Sequence, residues 1–365
     1  MAAIFQTENE SYIVDVPKEE RYLNTMSYDY SVQYLNDLIK KGKIILEVPF
    51  QRKQIWKADK ASSLLESIIM NVPIPPLYFA EEEDGNWLVL DGLQRLSSIK
   101  NYYDNEFALT KLEVLTELNK KKYKDLPPRA KGLLDDGMLR VNVIKKDSHR
   151  DIKYDIFMRL NRGAVTLNYQ ELRNCMYRGN LNDAAKELCA ENADYMEILK
   201  QKTPNQRYLD VEFIIRYFAI SDNIATDTNG NVYLEGYKGK LVQYLNEYME
   251  SRKDCTLEEK QKYKERFNST IEKVKIVFGL DKAFRDISTE NTKIYKTIAD
   301  FIMPSLERMS KNYVETNKET IYNRLLVFLK NDEIKDSLSN RTSDKDIVNL
   351  RLKMWFKEFE DAISL

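Results

Sequence analysis

The chain has 365 residues, of which 43% are hydrophobic and 32% are charged, so it can bury a sizeable core beneath a well-solvated surface. Its 57 Lys and Arg residues nearly cancel its 58 Asp and Glu residues, and this balance argues against a nucleic-acid coat protein and a membrane-surface protein. Three widely spaced cysteines predict reduced thiols in a cytoplasmic protein, and neither a secretory signal nor a run of about 20 apolar residues is found.

The single histidine, His149, limits the catalytic chemistry that the chain can perform. Zinc-protease, HD-type phosphohydrolase and HNH-type nuclease sites each need more than one histidine. Asp147 and Ser148 just before it are good helix N-caps, so we expect a surface histidine at a helix start rather than a catalytic group.

The first half of the sequence alternates between helical and extended patterns. In chain order the patterns predict a helix over 32–39 ended by Gly42, a strand over 44–48, a helix over 61–69, paired strands over 77–80 and 87–90, a helix over 94–103, a strand over 138–144 and a helix over 152–160. Asp84 and Gly85 are expected in the turn between the paired strands.

After about Leu167 nearly every segment has a helical pattern. Two clear apolar stripes run from Leu241 to Met249 and from Ile321 to Leu329, whereas Asp222 to Asn231 has the composition of a loop. We therefore expect an α+β chain with an N-terminal extension over residues 1–28, a mixed α/β domain over residues 29–165 and an all-helical domain over residues 166–365.

The sharpest local feature is Trp87-Leu88-Val89-Leu90-Asp91-Gly92-Leu93-Gln94-Arg95. An apolar strand ends at the Asp91 carboxylate, Gly92 permits a tight turn, and the first N–H groups of the following helix can bind an anion. Arg95 in the first helical turn opposes the helix dipole, which suggests a phosphate beside it. A structural arrangement, in which Asp91 caps the helix and Arg95 forms a salt bridge with a partner elsewhere, fits the spacing equally well.

Three other segments carry polar or basic side chains. Gln51 and Arg52 follow Val48-Pro49-Phe50 and precede Trp56, and such aromatic residues more often anchor a loop in a core than stack on a base. Asn161 and Arg162 are expected at the tip of a helix that ends at Gly163. The run Lys120, Lys121, Lys122 and Lys124 is interpreted as a solvated loop rather than a DNA-binding patch.

Together and in this order, these segments resemble the N-terminal domain of GmrSD-type modification-dependent restriction endonucleases over about residues 30–250. That family has the patterns P-x-F-Q-R…W, P-I-P, D-G-Q-Q-R and L-N-x-G…L…E-L-R-N. The matching residues are Pro49, Phe50, Gln51, Arg52 and Trp56, then Pro73, Ile74 and Pro75, then Asp91, Gly92, Gln94 and Arg95, and finally Leu160, Asn161, Gly163, Leu167, Glu171, Leu172, Arg173 and Asn174.

One residue departs from the family pattern. Leu93 stands where the family has the first Gln of D-G-Q-Q-R. A ligand contact is lost if side chain 93 faces the ligand, and nothing is lost if it packs inward.

The resemblance implies a fold similar to ParB and sulfiredoxin, in which the equivalent strand–turn–helix binds nucleotide phosphates. Since none of the residues from Asp91 to Arg95 is a cysteine, sulfiredoxin chemistry is not expected. Members of the family often hydrolyse nucleoside triphosphates in phage defence, and many carry an HNH nuclease module. With one histidine, we expect no such module in this chain, and we expect its helical half to be a sensor, a dimerisation surface or a docking site for a separate effector.

The favoured hypothesis is therefore a Mg²⁺-dependent NTPase or NTP-dependent switch, with the base of the nucleotide left open. The predicted catalytic residues are Asp91, Gln94 and Arg95, with Asp91 as the Mg²⁺ ligand. The predicted nucleotide-binding residues are Gln51, Arg52, Gly92, Arg95, Asn161 and Arg162.

The alternative hypothesis is a non-enzymatic DNA-binding or regulatory partner, in which Arg52, Arg95 and the lysine run contact backbone phosphates. A nuclease ranks third, because no group of several acids at metal-ligand spacing is found near Asp91. Besides the nucleotide, the expected partners are modified or foreign DNA, a separate nuclease or methyltransferase, and a second copy of the chain, with no membrane involved.

Overall fold

The computed structural model describes residues 23–46, 56–148, 156, 168–290, 292–360 and 362–363. Within this part the chain divides into two compact units. One, here called the α/β unit, holds the described residues up to 156, and the other, called the helical unit, holds those from Asn168 onward. The predicted domain boundary at residues 165 and 166 lies outside the described residues, as does most of the helix predicted over 152–160.

A mixed five-stranded sheet forms the centre of the α/β unit. Its strands are β1 (Thr25–Ser31), β2 (Ile44–Ile45), β3 (Leu77–Glu81), β4 (Trp87–Asp91) and β5 (Met138–Ile144). Their order across the sheet is β1-β5-β3-β4-β2. The β1–β5 and β3–β4 pairs are antiparallel, whereas β3–β5 and β2–β4 are parallel.

Strand β1 is an element that the sequence patterns do not predict. It pairs along its whole length with β5, from Thr25 opposite Ile144 to Ser31 opposite Met138. The sheet therefore includes residues that the expected division assigned to an N-terminal extension over residues 1–28. Local patterns miss this pairing because the two strands are far apart in the sequence and no short turn joins them.

Four α-helices of the α/β unit have both ends within the described residues. They are α1 (Val32–Lys40), α2 (Ala58–Ile69), α3 (Leu93–Tyr103) and α4 (Pro128–Asp135), and two short 3₁₀ helices cover Thr116–Leu118 and Tyr123–Asp125. Helices α1, α2 and α3 correspond to predicted helices, and strands β2, β3, β4 and β5 correspond to predicted strands. Helix α4 and the 3₁₀ turns were not predicted.

Local chemistry explains where these helices begin and how they pack. The Ser31 side chain accepts a hydrogen bond from the backbone N–H of Tyr34 and so caps α1. Leu35, Leu65 and Leu96, one from each of the first three helices, are fully buried. The helices thus turn one apolar face inward, as their spacing of apolar residues indicates.

The helical unit contains ten helices among the described residues. They are α5 (Tyr169–Met176), α6 (Asn180–Glu191), α7 (Ala193–Ile198), α8 (Leu209–Asp222), α9 (Leu241–Arg252), α10 (Leu257–Lys282), α11 (Lys296–Arg308), α12 (Lys311–Lys330), α13 (Asp332–Ser339) and α14 (Lys345–Lys357). They enclose one large hydrophobic core that is rich in Tyr and Phe. The expected architecture, a mixed α/β region followed by a helical region, is confirmed.

One detail of the helical unit corrects the sequence-based expectation of an all-helical domain. The segment from Asp222 to Asn231, expected to be a loop, contains strand β6 (Ile224–Thr226), which pairs antiparallel with β7 (Val232–Leu234). The Asp227 carboxylate accepts hydrogen bonds from Asn231 and closes the turn between the strands. Val232 and Leu234 are buried, so the hairpin is stabilised by the surrounding helices.

The described helices include none with the length and low charge that crossing a lipid bilayer requires. The three cysteines form no disulfide.

Candidate functional site

A bulge at the end of β4 sets the direction of the Asp91 side chain. Asp91 pairs with Tyr78 and Val89 pairs with Phe79, so Leu90 is an extra residue on β4. Bulges of this kind change the face to which the following side chain points. Leu88, Val89 and Leu90 are buried, whereas the Asp91 side chain is 44% exposed.

Gly92 makes the turn from β4 into α3 possible. Its φ of +100° lies in the left-handed region, and a Cβ atom at this position would lie 2.2 Å from Cδ2 of Leu77. Only glycine therefore fits both the backbone conformation and the space. No side chain of the described residues caps α3, so its first N–H groups have no side-chain partner among them.

Arg95 joins Asp91 to the proline segment before β3. Its guanidinium lies 2.7 Å from the Asp91 carboxylate and also donates to the carbonyl oxygens of Pro75 and Pro76. The side chain is only 11% exposed, and this burial lowers the pKa of Arg95, while the Asp91 carboxylate acts to raise it. Arg95 thus pairs with Asp91 itself, whereas the structural alternative had Asp91 as the helix cap and Arg95 paired elsewhere. The carboxylate offsets the charge that Arg95 brings to the helix N-terminus.

Gln94 holds Trp56. Its side-chain carbonyl accepts a hydrogen bond from the backbone N–H of Trp56 at 3.0 Å. The side chain of Lys60, one turn into α2, places its ammonium 4.4 Å from the centroid of the Trp56 ring. The adjacent residues Gln94 and Arg95 therefore hold two different segments. Gln94 holds Trp56, and Arg95 holds Pro75 and Pro76.

These segments line an open cavity of about 490 Å³, here called the Asp91 cavity. Its lining residues are Trp56, Lys60, Ser63, Leu64, Ser67, Pro73, Ile74, Pro75, Asp91 and Arg95. The volume lies in the range of small-molecule sites. The lining combines an apolar wall with a carboxylate and two cations, which is suited to a ligand that has both an apolar and an anionic part.

Asp91 is the described residue best placed to bind a cation in the cavity. One of its oxygens is bonded to Arg95, and no described residue donates to the other. No cluster of three or more potential metal ligands occurs among the described residues. A single carboxylate fits Mg²⁺ that completes its coordination with water and phosphate oxygens.

The structure brings four predicted site residues together: Asp91, Gly92, Gln94 and Arg95 all lie at or beside the Asp91 cavity. Gln51, Arg52, Asn161 and Arg162 lie outside the described residues, as does His149. The Leu93 side chain is buried, which is the case in which departure from the family pattern costs no ligand contact. Lys120 is exposed in a turn and Lys124 is exposed in the 3₁₀ helix Tyr123–Asp125, whereas Lys121 and Lys122 are partly buried, so the run is only in part the solvated loop that was expected.

Sequence reasoning missed the contribution of α2 to the cavity. Lys60, Ser63 and Ser67 share one face of this helix, beside the apolar stripe that was used to predict it. Their spacing of three and four residues indicates a shared helix face and could have been recognised in the sequence. A polar face is ordinarily interpreted as solvated, and only the neighbouring proline segment shows that this one lines a cavity.

Residues 35–178 match the family described as the N-terminal domain of GmrSD restriction endonucleases. No curated protein matches the chain. The chain is similar to two solved structures of pNOB8-like ParB N-terminal domains. The first, in a C2221 form, is 14% identical in sequence with a TM-score of 0.24. The alignment covers 92% of this chain and 98% of that structure's chain. The other has 15% identity and a TM-score of 0.22 and covers 94% of this chain and 99% of its own.

Superpositions with TM-scores this low support no further conclusion. The family match contains the whole strand–turn–helix around Asp91 and ends at Arg178, just after α5. It is consistent with the resemblance that the ordered motifs indicate. Residues 35–178 of this chain therefore match the N-terminal domain of GmrSD restriction endonucleases, which is the family that the ordered motifs resemble.

Proposed function

We propose that the α/β unit binds a nucleoside triphosphate with Mg²⁺ in the Asp91 cavity and hydrolyses it. The observation that carries the proposal is the Asp91 carboxylate, which is fixed by Arg95, partly exposed and part of the lining of a cavity of about 490 Å³. Phosphoryl transfer depends mostly on positioning and on neutralising charge, so one carboxylate, cations and helix N–H groups suit it.

Each residue of the motif has a role in this proposal. Asp91 holds Mg²⁺ or orients the attacking water, and Arg95 keeps the carboxylate in place. Gln94 uses its carbonyl oxygen for Trp56, which leaves its amide N–H groups to donate to a phosphate or to that water. Lys60 adds a cation that can reach the phosphates from α2. Mg²⁺, when bound, would neutralise phosphate charge.

The family match supports a place for this site in a restriction system, because the matched domains are parts of restriction endonucleases. In the proposal, nucleotide binding or hydrolysis acts as a sensor or switch in phage defence. The candidate partners of the switch are modified or foreign DNA and a separate nuclease or methyltransferase.

The test is nucleotide binding by calorimetry and phosphate release with Mg²⁺, measured with each of the four common NTPs. We expect wild type to bind at least one of them, and Asp91→Asn to lower phosphate release about 100-fold or more, the usual effect of removing a group that stabilises the transition state. Asp29→Asn is the matched control, because Asp29 is also a strand carboxylate 2.7 Å from an arginine and is 48% exposed. It should release phosphate at nearly the wild-type rate.

Two results would contradict the proposal. Absence of binding to all four NTPs would rule out a nucleotide site. Binding without turnover, or equal turnover by wild type and Asp91→Asn, would rule out hydrolysis at Asp91.

A further inference from the structure

The apolar part of the Asp91 cavity has no role in binding phosphates. Trp56, Leu64 and Ile74 line it together with Pro73 and Pro75. Phosphates and Mg²⁺ need charged and hydrogen-bonding partners, and an apolar wall gives them none. A nucleobase, by contrast, has two flat faces that stack on aromatic and apolar side chains.

Trp56 differs from the other two tryptophans in its surroundings. Trp87 and Trp355 are buried in the two units, whereas Trp56 is half-buried and lines the cavity. The only described cation over its ring is the ammonium of Lys60, whose side chain is exposed. A cation–π contact at an exposed site is weak, so a ligand can take its place.

Two adjacent side chains set the geometry of the cavity walls. Gln94 holds the backbone of Trp56, and Arg95 holds the carbonyl oxygens of Pro75 and Pro76. Both side chains belong to the first turn of α3, so the indole and the proline segment are fixed relative to the same helix. That helix also follows directly from Asp91.

We propose that the nucleobase of the bound nucleotide stacks on the Trp56 ring within the apolar part of the Asp91 cavity, and that Gln94 is the positioning residue for this ring. The inference rests on the proposed function and adds the location of the base. The base replaces the Lys60 ammonium over the indole, and Lys60 then turns toward the phosphates.

The experiment compares two ligands in the presence of Mg²⁺: the NTP that binds most tightly and inorganic triphosphate, which has no base. The ratio of their affinities isolates the contribution of the base. We expect wild type to prefer the NTP by about tenfold or more, as a typical base–aromatic stack provides. Trp56→Ala should bring this ratio close to one, and Trp56→Phe should restore most of it.

Tyr34→Ala is the matched control, because Tyr34 is an exposed aromatic residue of the same unit that does not line the cavity. It should leave the ratio unchanged. If Trp56→Ala fails to fold, the tryptophan fluorescence of the wild-type protein tests the stacking instead. Binding of the NTP should quench the emission of Trp56, the tryptophan that lines the cavity, because its base stacks on the indole ring. Inorganic triphosphate has no base and should not quench it.

Gln94→Met tests the positioning role, since methionine has a similar length and cannot accept the hydrogen bond in the same way. We expect the affinity ratio to fall several-fold and acrylamide to quench the ligand-free protein more strongly. An unchanged ratio in Gln94→Met would overturn the role of Gln94.

The outcomes separate this inference from the proposed function. If the protein binds neither ligand, both fail. If it binds the two ligands equally, or if Trp56→Ala keeps the wild-type ratio, the nucleotide site stands and the stacking on Trp56 is wrong.

Discussion

Asp91 and Arg95 form an ion pair of 2.7 Å one helical turn apart, and their side chains differ fourfold in exposure, 44% against 11%. The arginine is committed to the acid and to two backbone carbonyls, whereas the acid keeps one oxygen that no described residue occupies. Of the two groups, the carboxylate is therefore the one available to a ligand.

The first prediction concerns the stability that Arg95 provides. Arg95→Lys keeps the positive charge but replaces a planar fork with a single nitrogen, which cannot reach Asp91 and both carbonyls together. We expect the free energy of unfolding to fall by about 1–3 kcal/mol, the usual cost of leaving buried polar groups without partners. Urea unfolding followed by circular dichroism measures it.

Arg140→Lys serves as the control for this variant. Arg140 pairs with Asp29 on the exposed side of β1 and β5, where solvent screens the interaction. The Arg140→Lys substitution should change the free energy of unfolding very little. Equal effects of the two substitutions would mean that the buried position of Arg95 does not matter.

The second prediction concerns the turn at Gly92. Gly92→Ala forces a side chain into the left-handed region and against Leu77, so we expect a loss of about 1–3 kcal/mol or more in the free energy of unfolding. Gly132→Ala is the matched control: it lies within α4, and a Cβ atom there would contact nothing within 4 Å. That substitution should stabilise the protein by about 0.5–1 kcal/mol, because alanine favours helix. A neutral Gly92→Ala would contradict the tight turn.

The third prediction is a dependence of stability on pH in the helical unit. Burial acts to raise the pKa of Glu212 on α8, but Lys296 and Arg173 outweigh it and lower the pKa from 4.5 to about 2. The Glu212 carboxylate lies 2.5 Å from the Lys296 ammonium and 3.1 Å from the Arg173 guanidinium. Because the pKa is lower in the folded state, the stabilisation is complete above about pH 5 and is lost as the pH falls toward 2. The loss is on the order of 3 kcal/mol.

Glu212→Gln tests this dependence. The variant should be less stable than wild type at pH 7, and the difference between them should shrink as the pH is lowered from 5 to 2. Glu319→Gln, at an exposed position of α12, is the control. Its free energy of unfolding should depend on pH as that of wild type does. Parallel curves for wild type and Glu212→Gln over this range would show that Glu212 is not responsible.

Local sequence was sufficient to predict much of the α/β unit. Apolar residues at helical spacing predicted α1, α2 and α3, since a helix must bury one continuous face. The apolar run ending at Asp91-Gly92 predicted the strand–turn–helix of the candidate site, because Gly92 permits a conformation that other residues resist. The ordered motifs also indicated the family that residues 35–178 match.

Tertiary structure decided which described groups Asp91, Gln94 and Arg95 contact. Arg95 meets Pro75 and Pro76, and Gln94 meets Trp56, through contacts between residues that are 19 to 38 positions apart in the chain. Neither a propensity nor a period in the sequence encodes such partners.

The sequence by itself determined α1, α2 and α3, the strand–turn–helix and the family resemblance, because these follow from spacing and residue type within short windows. The tertiary structure alone decided the pairing of β1 with β5, the hairpin of the helical unit and the cavity between α2 and the proline segment. The physical reason is that strand pairing and cavity walls join distant segments, whose contacts form only once the whole chain has packed.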